Sequence, residues 1–297
     1  MVCSLTRIRR FSLSNLVKSV HIHPLLWGVT GVCVLTGSFL NLLLVFIVIA
    51  IHELGHVLAA RAFGWRIRKI VFLPFGGVAE VDEHGNRPFK EELLVVLAGP
   101  AQHLWLFAGA WLVHAAGWLP DNIYETFWQM NAAILLFNLL PVYPLDGGKL
   151  LMLLFSAAKP FLAAFRLVII CSACLLVCLQ AVVFVFFPFH LQAWALFIYL
   201  AWALWRTWKE KRYAFMRFLL ERHYGNKGPA AELKPLTAVA GEPVMNVLER
   251  FQRNAKHIIY VTGEGEKQTR LDENELLYAY FSEKKTSACL RDLLPVD

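Results

Sequence analysis

The segment LNLLLVFIVIAIHELGHVLAARA, residues 40–62, joins a long apolar run to two histidines and a glutamate. No Asp, Glu, Lys or Arg occurs in residues 24–51, and His52, Glu53 and His56 follow directly. Residues four apart lie on one face of a helix, so both imidazoles can reach one metal ion. A glutamate between two such histidines is of the type that activates a metal-bound water. The pattern predicts a Zn²⁺ site on a helix that crosses a membrane.

An alternative explanation needs no metal. His52 and His56 would then lie at the membrane interface, and Glu53 would pair with Arg61 or Arg66. Ionisable side chains inside an apolar span are costly, and this favours the metal interpretation.

Catalytic zinc has a third protein ligand and one open position for water. The candidate is Asp146 in NLLPVYPLDGG, residues 138–148, where Pro141 and Pro144 interrupt an apolar run. Irregular backbone at membrane depth is tolerated where it lines a cavity. The alternative is a helix-end carboxylate that pairs with Lys149. The expected site holds one Zn²⁺ per chain.

Composition and charge predict a membrane protein with six transmembrane helices. Hydrophobic residues make up 58% of the 297 and charged residues only 17%. The spans are expected near residues 25–37, 40–62, 93–117, 124–145, 166–187 and 191–208. The outer turns near Gly37, Leu119 and Pro188 contain no Lys or Arg, so both termini are expected in the cytoplasm. The net charge of +7 comes from Lys and Arg beside apolar spans, which argues against a nucleic-acid partner.

The last part of the chain has the composition of a small soluble α/β domain. A helix is expected at 244–251, a strand at 257–261, a turn at 263–265 and a helix at 274–281. The fold class is therefore an all-α polytopic membrane domain with a short β-hairpin, followed by this α/β domain. The expected parts are a cytoplasmic N-terminal segment (1–23), the six-helix membrane domain (24–208), a basic linker (209–232) and the C-terminal domain (233–297).

The two motifs together, HELGH at 52–56 and the stretch from Asn138 to Gly148, resemble the site-2 protease family of intramembrane zinc metalloproteases. Further matching stretches are Pro74–Gly77, 83–88, Ala98–Pro100 and Phe218–Arg222. Within the family, the chain is similar to a group of sporulation proteases. The tail from Leu233 resembles half of a cystathionine-β-synthase (CBS) module.

The resemblance implies that His52, His56 and Asp146 bind Zn²⁺ and that Glu53 is the general base. It also implies that Asn138 and Pro144 help to place the substrate. The alternative for Asn138 is that it only satisfies the backbone of a broken helix. The implied substrate is a membrane-associated precursor of a sporulation sigma factor, and membrane protein partners hold the protease inactive. The implied location is the mother-cell membrane around the forespore. The CBS-like tail implies ATP binding and self-association, with a domain that only docks substrate or dimerises as the alternative.

The stretch KIVFLPFGGVAEV, residues 69–81, alternates and contains the pair Gly76 and Gly77, which predicts a β-hairpin. Its edge from Phe75 to Val81 is expected to pair with an extended substrate segment. The alternative is a loop that shields the site from lipid.

A membrane metal transporter and an inert membrane scaffold are the rival functions. A transporter would more often carry acidic or histidine residues on several spans and internal repeats. Here the strong ligand candidates converge on two helices, and the sequence contains no recognisable repeat. A scaffold has no need for Glu53.

Overall fold

The computed structural model describes residues 20–22, 30–31, 35, 37–65, 67–73, 76–81, 87–187, 189–225, 232–262 and 268–294. Its helices are, in chain order, α1 (Phe39–Ala62), α2 (Phe89–Ala115), α3 (Asp121–Leu139), α4 (Asp146–Ala158), α5 (Phe161–Phe186), α6 (Leu191–Tyr224), α7 (Val244–Leu248) and α8 (Glu273–Phe281). Its strands are β1 (Val20–Ile22), β2 (Ile67–Leu73), β3 (Gly76–Val81), β4 (Glu232–Val239), β5 (Ala255–Thr262) and β6 (Gln268–Asp272). A 3₁₀ turn follows at Leu290–Leu293.

Within this part of the chain, helices α1, α2 and α5 are long and apolar enough to cross a membrane. They correspond to the second, third and fifth predicted spans. The mainly helical architecture with a small sheet is therefore confirmed. The first predicted span falls largely outside the described residues, and a total of six spans stays a prediction.

Helix α3 corresponds to the fourth predicted span, but it ends at Leu139 instead of continuing to residue 145. The cause is Pro141, since the residue before a proline is pushed out of the helical region. Leu140 accordingly has an extended backbone, with φ −56° and ψ 132°. The chain turns, and a separate helix, α4, begins at Asp146.

Helix α6 begins where the sixth span was predicted but continues far into residues 209–232, which were expected to be a linker. This segment is helical as far as Tyr224. Its basic residues lie beside an apolar stripe formed by Phe215, Phe218 and Leu219, all buried. Phe218 and Leu219 follow Phe215 by three and four positions, as on the apolar face of an amphipathic helix. The high density of basic residues obscured this pattern in the sequence.

The predicted hairpin is present, and the strand order of its sheet is β1-β2-β3. Strands β2 and β3 are antiparallel, with Leu73 opposite Gly76 and Phe72 opposite Gly77. The glycine pair therefore begins β3 instead of forming the turn, and Phe75 lies outside the described residues. Strand β1 adds to β2 in parallel, although no strand was predicted there. The edge of β3 opposite β2 has no strand partner among the described residues.

The C-terminal domain has the sheet order β4-β5-β6, with β4 parallel and β6 antiparallel to β5. The predicted strand and both predicted helices are present, whereas β4 and β6 were not predicted. Alternate residues of β5 point into the core, as expected for a half-buried strand. The expected turn at 263–265 lies outside the described residues, and the CBS-like character of the domain stays a prediction.

A buried arginine joins the end of α6 to this domain. The Arg222 Nε and Nη2 atoms donate to the two carboxylate oxygens of Glu273 at 2.7 and 2.9 Å. Its Nη1 donates to the Gln252 carbonyl at 2.6 Å. The His257 backbone N–H and ring Nδ1 also donate to the Glu273 carboxylate, at 2.8 and 3.1 Å. The last turn of α6 is therefore part of the hydrogen-bonded core of the C-terminal domain.

The domain also touches the ends of the membrane helices. The rings of Phe161, at the start of α5, and Phe218 stack with centroids 4.5 Å apart. The backbone N–H of Phe161 donates to the Phe251 carbonyl at 3.0 Å. Arg253 pairs with Glu92 in the first turn of α2. These contacts place the C-terminal domain against the first turns of α2 and α5.

Candidate metal centre

The two histidines of the motif lie side by side on the buried face of α1. His52 is 3% exposed and His56 is 8% exposed. Their Nε2 atoms are 3.1 Å apart, which is the geometry expected for an i, i+4 pair whose rings turn toward one point.

Helix α2 covers this face at very close range, and glycines make the approach possible. A Cβ atom at Gly99 would collide with the imidazole of His56. A Cβ at Gly55 would collide with the carbonyl oxygen of Ala98. The Ala98–Pro100 stretch singled out from the sequence therefore supplies space for a metal-ligand candidate.

The turn after α3 brings Asp146 to the same point. One oxygen, Oδ2, lies 3.0 Å from the Nε2 atoms of both His52 and His56. Asp146 is 3% exposed and occupies the first turn of α4. A Cβ at Gly147 would collide with the carbonyls of Leu139 and Leu140, so the glycine lets α4 begin directly against the end of α3.

The three atoms form a nearly equilateral triangle that suits a zinc ion. Bonds of about 2.0–2.1 Å in a tetrahedral site place ligand atoms about 3.3–3.4 Å apart. The observed separations of 3.0–3.1 Å need only a small expansion. The donor set is two imidazoles and a carboxylate, which are ligands that catalytic zinc uses.

The hydrogen bond of His56 supports the same conclusion. Its Nδ1 lies 2.8 Å from the carbonyl oxygen of Val95, which can only accept, so Nδ1 carries a proton. In the neutral ring, Nε2 then has a free lone pair, and it faces the Asp146 carboxylate at 3.0 Å. A metal ion or a proton between the two acceptors would satisfy both in this buried place.

The second oxygen of Asp146 has a different partner. The Lys149 Nζ atom donates to Oδ1 at 2.9 Å. The ion pair with Lys149, which was the alternative explanation of Asp146, is therefore present together with the histidine contacts. Oδ1 of the carboxylate contacts Lys149, and Oδ2 contacts the two histidines. This ion pair fixes the rotation of the carboxylate about its own axis.

Glu53 follows His52 on α1 and is 7% exposed. It makes no side-chain hydrogen bond to any residue that the structure describes. Glu53 is therefore a buried carboxylate next to a metal-ligand candidate, and its function as general base stays a prediction.

The other residues singled out from the sequence are less closely connected to the triangle. Asn138 donates from Nδ2 to the Ile134 carbonyl of its own helix at 3.0 Å. Pro144 is half-buried in the turn just before Asp146. Gly76 and Gly77 begin the edge strand β3, which packs against α1.

Sequence reasoning missed His103 on α2 and Asn131 on α3. Both side chains are fully buried, and the His103 Nε2 atom lies 3.0 Å from the Nδ1 atom of His52. Neither belongs to a recognisable motif. The signal in the sequence was that each is a polar residue inside an otherwise apolar span. Burying a polar group in a membrane is energetically unfavourable, so such residues often have a function.

Comparisons with known proteins agree with this arrangement. Residues 40–118 match peptidase family M50. The chain is 44% identical to stage IV sporulation protein FB of Bacillus subtilis over 280 residues, which cover 94% of this chain and 97% of that protein. It is 30% identical to a zinc metalloprotease of Methanocaldococcus jannaschii over 54% of this chain and 49% of that protein.

A solved structure shares the fold. The site-2 protease from Methanocaldococcus jannaschii superposes with a TM-score of 0.53 at 24% identity, covering 63% of this chain and 89% of that chain. The extent and identity of the match to the Bacillus protein show the family, and the apolar helices agree with it. The chain therefore belongs to the site-2 protease family, peptidase family M50, and is a membrane zinc metalloprotease.

Proposed function

We propose that the chain cleaves a membrane-associated precursor protein near the cytoplasmic face, with one Zn²⁺ bound by His52, His56 and Asp146 and with Glu53 as general base. The observation that carries this proposal is the convergence of two Nε2 atoms and one Oδ2 atom within 3.0–3.1 Å. Two of these ligands come from α1 and the third from the start of α4, so the fold itself assembles the site.

The bound zinc ion would act as a Lewis acid on the scissile carbonyl and on the attacking water. Glu53 takes a proton from that water and later delivers it to the leaving amine. Its position one residue after His52, buried and without a hydrogen-bond partner in the described part of the chain, leaves the carboxylate available for this transfer. Lys149 holds Asp146 through Oδ1, and the carbonyl of Val95 holds His56 through Nδ1.

The substrate must be extended at the cut, because a helix hides its carbonyls in hydrogen bonds. Strand β3 offers an edge without a strand partner among the described residues, and it packs against the motif helix. We expect an extended substrate segment to add to this edge, beginning near Gly76 and Gly77. Phe75 from the hairpin, Asn138 from the end of α3 and Pro144 from the turn before Asp146 would help to place the segment.

The similarity to a sporulation protein supports a sigma-factor precursor as the substrate and membrane proteins as inhibitory partners. It also supports the mother-cell membrane around the forespore as the location. Six spans with both termini in the cytoplasm agree with the distribution of Lys and Arg. Under the same proposal, the C-terminal domain binds ATP and allows self-association.

A transporter or scaffold function explains the buried Glu53 less well. Either function requires at most the ligands, whereas hydrolysis also requires a base beside them.

The proposal is tested by co-expressing the chain with a membrane-anchored sigma-factor precursor and mapping the N-terminus of the product. A single new N-terminus near the cytoplasmic face, formed only with active protease, is the expected result. An uncleaved precursor, together with cleavage of an unrelated membrane protein, would contradict the substrate assignment.

A further inference from the structure

A chain of side-chain hydrogen bonds leads from His52 away from the metal-ligand candidates and into the membrane domain. The Nδ1 atom of His52 lies 3.0 Å from Nε2 of His103 on α2. The Nδ1 atom of His103 lies 2.7 Å from Oδ1 of Asn131 on α3. His103 and Asn131 both have 0% exposure, and His52 has 3%.

The direction of each bond follows from Asn131. Its Nδ2 donates to the backbone carbonyl of His103 at 3.2 Å, so its Oδ1 is the atom that faces the imidazole. An amide oxygen only accepts, and the Nδ1 atom of His103 must therefore carry the proton. The Nε2 atom of a neutral His103 then has a free lone pair.

The lone pair on Nε2 of His103 determines the tautomer of His52. The Nε2 atom of His103 accepts, so the Nδ1 atom of His52 must donate to it. A neutral His52 then directs the lone pair of its Nε2 atom toward His56 and Asp146, at 3.1 and 3.0 Å. The opposite tautomer would place a lone pair against a lone pair in a buried environment, which is unfavourable.

We propose that His103 and Asn131 are positioning residues that hold His52 in its metal-binding tautomer and ring orientation. The inference rests on the proposed zinc site, because it assigns a function to residues that act through one of its ligands. His52 and His56 differ in this respect. His56 donates to the backbone carbonyl of Val95, which is present whichever residue occupies that position, whereas His52 depends on two side chains from two other helices.

The arrangement also links three helices at the level of the site. His52 lies on α1, His103 on α2 and Asn131 on α3, and the Asn131 amide returns a bond to the α2 backbone. Hydrogen-bonded partners of metal ligands typically change metal affinity or activity by about 10–100-fold when they are replaced.

His103 allows a matched pair of variants. His103→Gln keeps an amide oxygen that can accept from Nδ1 of His52 and an N–H that can donate to Oδ1 of Asn131, whereas His103→Leu removes both. Zinc affinity of the purified full chain in detergent, measured by competition with a chelator, should fall about 10–100-fold in His103→Leu and remain near wild type in His103→Gln. Asn131→Leu, which removes the acceptor for His103, should behave like His103→Leu.

A second measurement does not require metal. Histidine-selective ¹⁵N NMR of the metal-free chain should show His52 with its proton on Nδ1 in wild type and His103→Gln, and a mixture of tautomers in His103→Leu and Asn131→Leu. The His52 signal is identified by its loss in His52→Gln. Equal tautomer populations and equal zinc affinity in wild type and all His103 and Asn131 variants would overturn the inference, and so would equal losses in His103→Gln and His103→Leu. A wild type that binds no zinc would instead contradict the proposed site, and the NMR result would still decide the inference.

Discussion

The Oδ2 atom of Asp146 lies 3.0 Å from the Nε2 atom of His56, although the two residues are 90 positions apart in the chain. The contact depends on two close approaches. Helix α2 passes His56 at Gly99, and α4 begins against the end of α3 at Gly147. Each glycine leaves space that a side chain would fill, so the site depends on these backbone positions as well as on the ligands.

Gly99→Ala should damage the site selectively. The new Cβ would collide with the imidazole of His56 and displace it, and crowding of this kind typically costs about 1–3 kcal/mol in a packed core. We expect loss of most zinc and of cleavage. The matched control is Gly109→Ala on the same helix, where a Cβ meets nothing within 4 Å. Equal zinc content in the two variants would show that the close approach is unimportant.

Lys149→Met should weaken zinc binding by about 10–100-fold, because the Asp146 carboxylate loses the group that fixes its rotation. Lys159→Met, at the other end of α4, removes the same charge without touching Asp146 and should bind zinc like wild type. Chelator competition measures both variants. A similar affinity in both would mean that the Lys149 ion pair does not position the ligand.

The C-terminal domain should lose stability in acid because of Glu273. Burial alone would raise the pKa of this carboxyl, but hydrogen bonds from His257 and the charge of Arg222 outweigh it and lower the pKa below the ordinary value of 4.5. A lowered pKa means that the charged form stabilises the fold, so the contribution is present above about pH 4.5 and is lost as the pH falls through the lowered pKa. Thermal unfolding of wild type should show this loss. Glu273→Gln should be less stable at neutral pH and less sensitive to acid, and an unchanged acid sensitivity would contradict the assignment.

Proline substitutions in β3 test the proposed substrate edge. Neighbouring N–H groups of a strand point to opposite sides, so only one of Val78 and Ala79 donates away from β2. Proline removes that donor, and cleavage should fall with zinc content unchanged in the variant whose N–H points outward. The other variant removes an N–H that faces β2, and it therefore serves as the control for damage to the hairpin itself. Normal cleavage by both would mean that the substrate is extended elsewhere.

The topology predicts opposite sides for two fusion points. A reporter fused after Trp118 should be outside and one fused after Gly225 should be in the cytoplasm, because the turn near Leu119 lacks Lys and Arg and α6 carries many. The same side for both reporters would require a different number of spans.

The sequence predicts the site well where local spacing carries the information. His52 and His56 share a helical face, and Asp146 follows two prolines that must interrupt a helix. The hairpin was also predicted from its alternation. The exact end of α3 at Leu139 was not predicted, because a proline restricts the residue before it and the helix therefore stops ahead of Pro141. The helical character of residues 209–224 was not predicted either, because the many basic residues obscured the apolar stripe.

The contacts of His103 and Asn131 could not be predicted from local spacing. Each is one polar residue on an apolar helix, and nothing in the spacing says that they meet or that their bonds end at His52. The relation appears only when α1, α2 and α3 pack together, since tertiary packing decides which buried polar groups become partners.

Zinc content and precursor cleavage, measured together for wild type, Glu53→Gln and Asp146→Ala, test the central claim most directly. Wild type should contain one zinc per chain and cleave the precursor. Glu53→Gln should keep the zinc and lose cleavage, because the ligands remain and the base is gone, whereas Asp146→Ala should lose most of both. Normal cleavage by Glu53→Gln, or zinc and activity in Asp146→Ala equal to those of wild type, would contradict the assigned site.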